Sequence, residues 1–157
     1  MDAGGIILIG IGNDLLTDDG IGPYMVKRIG RELNCEHAAV THLSLELLDL
    51  VVERRLIYII DSFKNPELPV GEVKPFSLAD LEYLQNPSYS HGITIPIIFG
   101  IGEKLYSSMP ENVRIFGINV YDNETISDSF SDVLNHRLDD ISNHLCKKIK
   151  TDAGGKI

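Results

Sequence analysis

Asp14, Asp18 and Asp19 crowd one glycine-bearing stretch, IGIGNDLLTDDGIG, from Ile9 to Gly22. Asp61 ends the apolar run RLIYIIDSF, and His91 lies in the polar stretch QNPSYSHG. A carboxylate from the first stretch, the Asp61 carboxylate and the His91 imidazole would make an O,O,N donor set. Such a set suits zinc, nickel, manganese or cobalt, and its open positions would admit water or ligands from a partner. The same residues have plainer uses. Asp18 or Asp19 would cap a helix starting near Gly20, where the helix dipole favours negative charge. Asp61 would cap a turn, and His91 would be a solvated loop histidine. Residue types and spacing leave both readings open.

Other chemistries fit less well. A dinucleotide fingerprint needs Gly-x-Gly-x-x-Gly, but Leu15 holds the third glycine position, and a phosphate loop needs Gly-Lys-Ser/Thr, which is absent. Carboxylates in place of N–H donors would also repel a pyrophosphate. Ser62 follows Asp61 but lies in no Gly-x-Ser-x-Gly elbow. No His-Glu-x-x-His is present, and Cys35 and Cys146 form no Cys-x-x-Cys pair. His136 and His144 read as solvated positions on the last helix, and Cys146 as core.

Alternating strand and helix signals would position these residues. GIILIGIG (Gly5–Gly12) reads as a buried parallel strand, followed by a helix from about Gly20 to Leu33 with Pro23 in its first turn. A strand over Ala38–Leu43, a short helix over Leu45–Glu53 and a strong strand over Arg55–Phe63 come next. Pro75 places the short strand Gly71–Ser77 at a sheet edge, and Leu78–Leu84 reads as a turn or two of helix. Ile93–Met109 has β-branched residues but the length of a buried helix, with Pro96 in its first turn. A final strand (Asn112–Val120) precedes one long amphipathic helix from about Asp128 to Lys150, striped by Phe130, Leu134, Leu138, Ile141, Leu145 and Ile149.

The predicted fold is α/β: one domain, a three-layer sandwich whose twisted, mostly parallel sheet of about five strands has helices on both faces. The domain is expected over residues 1–150, with 151–157 as a frayed tail. Sites in open α/β sheets form at strand carboxyl ends, which is where the first stretch and Asp61 fall. The chain has 14 Lys and Arg against 23 Asp and Glu, a net charge of −9, and that balance repels nucleic acid and anionic membranes. No apolar run reaches the about 18 residues of a membrane span. The N-terminus has no basic region before its apolar run, so it reads as a strand and not a signal peptide, and the cytoplasm is the expected location.

The stretch GIGNDLLTDDGIGP resembles the N-terminal signature of the hydrogenase maturation proteases. These endopeptidases trim the C-terminal extension from the [NiFe] hydrogenase large subunit after nickel is inserted. The signature is a strand, Gly-x-Gly-Asn, an Asp-Asp or Asp-Glu pair and following glycines, matched by Gly10, Gly12, Asn13, Asp18, Asp19, Gly20 and Gly22. LIYIIDSF, VGEVKPFSLADL, SYSHGITIPIIFG and VRIFGINV resemble later family segments, so the likeness spans about residues 6–145.

The resemblance implies that Asp19, Asp61 and His91 contact the metal and carry catalysis, in an aspartic-type peptidase. It implies nickel carried by the substrate, with zinc or cadmium able to occupy the same ligands in vitro. The implied partner is the hydrogenase large-subunit precursor, met by a monomer. Asp18 would shape the loop or cap the helix, Asn13 would hold the loop through its side chain, and the glycines would leave space for a substrate to approach. Where the family has a glycine loop after its second strand, this chain has THLSLELLD, without glycine. That departure favours another reading, a metal-sensing docking protein that binds the precursor without cutting it; a small-molecule or nucleotide-binding α/β module also stays open.

Overall fold

Ile and Leu fill all but one position of β1 (Ile6–Ile11), and every residue of it is buried, as a strand covered on both faces requires. In the computed structural model, which describes residues 5–83, 94–155 and 157, β1 lies inside a five-stranded sheet. The strand order is β2 (His37–Val40), β1, β3 (Leu56–Phe63), β5 (Asn112–Asn119), β4 (Val73–Phe76). All pairings are parallel except β4 on β5, and β4 closes the edge that Pro75 predicts.

Strand alternation divides the core in two. Ile6 and Leu8 join Tyr58, Ile60 and Phe116 under α1 (Ile21–Glu32) and α6 (Leu138–Asp152). Ile7 and Ile9 join Ile57, Ile59 and Ile115 under α2 (Leu47–Val51) and α4 (Ile95–Leu105), beside which α3 (Leu78–Tyr83) packs. The three-layer sandwich is therefore the observed architecture. Among the described residues no helix is long and apolar enough to cross a membrane.

Some elements match their sequence expectation and others differ. The exposed Tyr24 ring of α1 meets Phe130 edge-to-face at 5.3 Å. The segment expected to form a buried helix does so as α4, with Pro96 in its first turn and Ile98 and Phe99 buried. The last helix is not continuous. Residues 127–131 form a loop, α5 spans only Asp132–Asn135, and α6 starts at Leu138. Ser131 sets the start of α5: its hydroxyl accepts from Leu134 N as a helix N-cap and donates to Asp18 Oδ2 at 2.8 Å. Phe130 thus packs on the core from a loop. Ser131→Ala removes both bonds and is expected to cost about 1–2 kcal/mol in urea unfolding. At the C-terminus α6 runs on to Asp152, Ala153 is buried and Ile157 packs against the core.

Candidate functional site

Beyond Ile11 the chain must leave β1, return and start α1 within ten residues, and glycine makes that possible at two points. Gly12 has φ +147°, and a Cβ there would lie 1.9 Å from the Asp19 carbonyl oxygen. A Cβ on Gly22 would lie 2.4 Å from Ile11 O and 2.5 Å from Ile60 O. The first turn of α1 therefore sits directly on the carboxyl ends of β1 and β3. The glycines were expected to leave room for a substrate, but the chain's own backbone fills that room. Their effect is to bring Asp19 down to the sheet.

The chain steps from β1 outward to β2 and then back across to β3, so β1 and β3 flank the point where the strand order reverses, the usual place for a site in such sheets. Asp19 and Asp61 are linked there through one residue, Ser62. Ser62 Oγ donates to Asp19 Oδ1 at 2.7 Å, while Ser62 N donates to Asp61 Oδ1 at 2.8 Å. The other Asp19 oxygen accepts from Asn13 N at 2.8 Å. Asn13 Oδ1 in turn accepts from Leu15 N at 3.0 Å, an Asx turn that holds the loop as expected of this residue.

Both carboxylates are half-buried. Burial raises the Asp61 carboxyl, the Ser62 N–H opposes the shift and the neighbouring Asp19 charge adds to it, which together leave it at about 7. No described residue donates to Asp61 Oδ2. Carboxylate oxygens at this strand-end rim are donors of the kind a divalent cation takes. Among the described residues no three His, Cys, Asp or Glu side chains gather into a metal cluster. His91, the third donor expected from the sequence, lies outside the described residues.

Neither Asp18 nor Asp19 caps α1, which has Gly20 at its N-cap and no side-chain cap. Asp18 is fully buried and binds a distant segment instead. Its Oδ2 accepts from Tyr121 N (3.1 Å), Asp122 N (3.0 Å) and Ser131 Oγ (2.8 Å), and its Oδ1 from Ser131 N (2.7 Å). Asp14 is exposed and lines another cleft, of about 410 Å³, with Tyr24, Lys27, Asp128 and Phe130.

Two organising residues escaped the sequence reading. Ser62, dismissed as a nucleophile, is the link between the two carboxylates. Asn119, at the end of β5, is buried and uses its whole amide: Oδ1 accepts from Asn65 N, and Nδ2 donates to the carbonyls of Asn65, Leu68 and Pro69 at 2.9–3.1 Å. It shapes a cleft of about 480 Å³ at the carboxyl ends of β3 and β5, lined by Lys64, Leu68, Val70, Tyr121 and Glu124. An asparagine closing a buried apolar run was the available signal, since a buried amide needs partners.

No family model and no curated protein matches the sequence. Solved structures do match. The hydrogenase maturating endopeptidase HybD from Escherichia coli superposes with a TM-score of 0.70 at 16% identity, over 94% of this chain and 93% of that one. A further endopeptidase from Escherichia coli gives a TM-score of 0.74 at 16% identity, again over 94% and 93%. The [NiFe] hydrogenase maturation protease HybD from Thermococcus kodakarensis gives 0.65 at 21% identity, over 91% of this chain and 97% of that one. The chain has the fold of the hydrogenase maturation endopeptidases along nearly its whole length.

Proposed function

We propose that this chain is a peptidase that removes the C-terminal extension of a nickel-loaded [NiFe] hydrogenase large-subunit precursor, acting as a cytoplasmic monomer. The observation that carries the reading is the pairing of Asp19 and Asp61 through Ser62 at the switch point of a fold shared with maturation endopeptidases. In this reading His91 adds the third donor, and the nickel arrives with the precursor as part of the substrate. Two or three ligands on an open site bind a free ion weakly. They add affinity when the ion is already anchored in the partner, because the second contact is then intramolecular. A precursor without nickel lacks that anchor and is left uncut.

Hydrolysis requires a water to attack the scissile carbonyl while a base takes its proton and the departing amine gains one. A carboxylate is suited to that base when its pKa lies near the working pH, and Asp61 is the carboxylate here with that property. Asp19, held by Asn13 and Ser62, is the better fixed metal ligand.

Incubation with nickel-loaded precursor, followed by intact-mass measurement, tests the reading. Loss of the C-terminal extension is expected with the nickel-loaded form and not with the nickel-free form. An unchanged mass with retained binding would point instead to a non-cleaving docking protein, a reading that the glycine-free stretch at Thr41–Glu46 favours. Tight nucleotide binding in calorimetry without response to nickel or cadmium would leave only a small-molecule module. Asp19→Asn is expected to abolish cleavage while the melting temperature stays within a few degrees, because the half-buried amide still accepts one of the two hydrogen bonds.

A further inference from the structure

Among the described residues, Ser62 alone donates to both Asp19 and Asp61, and it does so with two different groups. Strand alternation explains how. Along β3, Ile57 and Ile59 belong to the core under α2 and α4, while Tyr58 and Ile60 belong to the core under α1 and α6. Asp61 continues the first set and Ser62 the second. The Ser62 hydroxyl therefore stands on the side from which the turn before α1, Thr17–Gly20, brings Asp19. Its backbone N–H is left to hold Asp61.

The hydroxyl fixes a torsion that Asp19 itself leaves loose. The χ2 torsion of an aspartate is broad and two-fold, so a single hydrogen bond lets the carboxylate plane turn. Asp19 is gripped at both oxygens, Oδ1 by Ser62 Oγ at 2.7 Å and Oδ2 by Asn13 N at 2.8 Å. An ionised carboxylate has about four lone-pair sites, so these bonds leave roughly two for a cation and can persist while Asp19 ligates. We propose that Ser62 is a positioning residue for the metal contact, its hydroxyl aiming Asp19 at the divalent cation that the precursor carries. The inference rests on the function proposed above and deepens it, by making recognition of the metal depend on a side chain that ligates nothing itself. Hydrogen bonds to ligating groups typically govern metal affinity by about 10–100-fold. Alanine retains the backbone N–H that holds Asp61, so removing the hydroxyl acts through Asp19 alone.

The test is calorimetric titration of the full chain with cadmium ions, beside steady-state cleavage of nickel-loaded precursor. Ser62→Ala is expected to weaken cadmium binding about 10-fold and to raise KM by a similar factor, with kcat unchanged. Ser62→Thr keeps the hydroxyl and is expected to bind cadmium as the wild type does. Ser131→Ala loosens the same loop through Asp18 and touches no bond of Asp19, so it is expected to leave cadmium affinity unchanged. Affinity unchanged or tightened in Ser62→Ala, beside a wild type that binds, overturns the positioning role; tightening would mean that the hydroxyl competes with the cation for Oδ1. Ser131→Ala as weak as Ser62→Ala also overturns it, because the loss would then follow loop stability, and so does Ser62→Thr as weak as Ser62→Ala. A wild type that binds cadmium but leaves nickel-loaded precursor uncut overturns the peptidase and leaves the positioning of Asp19 standing. A wild type without cadmium response overturns the positioning role, and the proposed function with it if the precursor also stays uncut.

Discussion

Asp61→Asn is expected to make the protein more stable at pH 8 and unable to process precursor. The wild-type carboxyl has a folded-state pKa of about 7 against an ordinary value of 3.8. Between those values the folded chain keeps a proton that the unfolded chain has released. Stability therefore falls as pH rises from about 4 to about 7 and levels off above, because ionising Asp61 in its half-buried place is unfavourable. Each pKa unit corresponds to about 1.4 kcal/mol, which sets a ceiling of roughly 4 kcal/mol; partial solvent access brings the expected gain to about 1–2 kcal/mol. Asparagine keeps an oxygen for Ser62 N and carries no charge, so the variant should lose this pH slope. Asp122 titrates in a different window, since its carboxyl is held down to about 2, first by its bonds to Thr125 and then by Glu124 N. Its contribution is present above its ordinary pKa and disappears as pH falls toward 2. Urea unfolding at pH 5 and pH 8 separates the two groups. An Asp61→Asn protein less stable than wild type at pH 8 would mean that the folded site favours the ionised carboxylate.

Asp18→Ala is expected to destabilise the protein by about 3–5 kcal/mol without any direct effect on chemistry. The substitution strands donors on Tyr121, Asp122 and Ser131 at a fully buried position. Each unpaired buried donor costs about 1–3 kcal/mol, and the total falls short of a simple sum because the loop relaxes toward water. Asp18→Asn should cost less, about 2 kcal/mol, since one oxygen still accepts while the new amide faces donors. Urea unfolding gives the stability, and hydrogen exchange at residues 121–131 should rise together with it. Adjacent aspartates thus have opposite expected signatures: Asp19→Asn loses processing and keeps the fold, and Asp18→Asn loses stability first. An Asp18→Ala protein as stable as wild type would remove the anchor from the account of this loop.

The sheet was legible because its strands announce themselves locally. IILIGI and LIYII are continuous apolar runs, which only burial on both faces explains, and Pro75 can tolerate only an edge. The carboxylates at the first and third strand ends were legible for a related reason, since parallel α/β topology collects such ends on one rim. What the chain could not disclose locally was how that rim is wired. Asp19 and Ser62 are 43 residues apart, Asp18 and Ser131 are 113 apart, and neither pair leaves a periodic trace. The last helix shows the same limit. Its apolar stripe predicts continuity through Phe130, but Phe130 stands in a loop and the backbone N–H of Ser131 goes to Asp18. Even the glycines changed meaning, from room for a ligand to contact between backbones. Pattern in a sequence records which face of an element is buried. The particular hydrogen bond that a buried carboxylate or amide makes depends on which donors the rest of the chain brings within 3 Å, and only the folded backbone decides that.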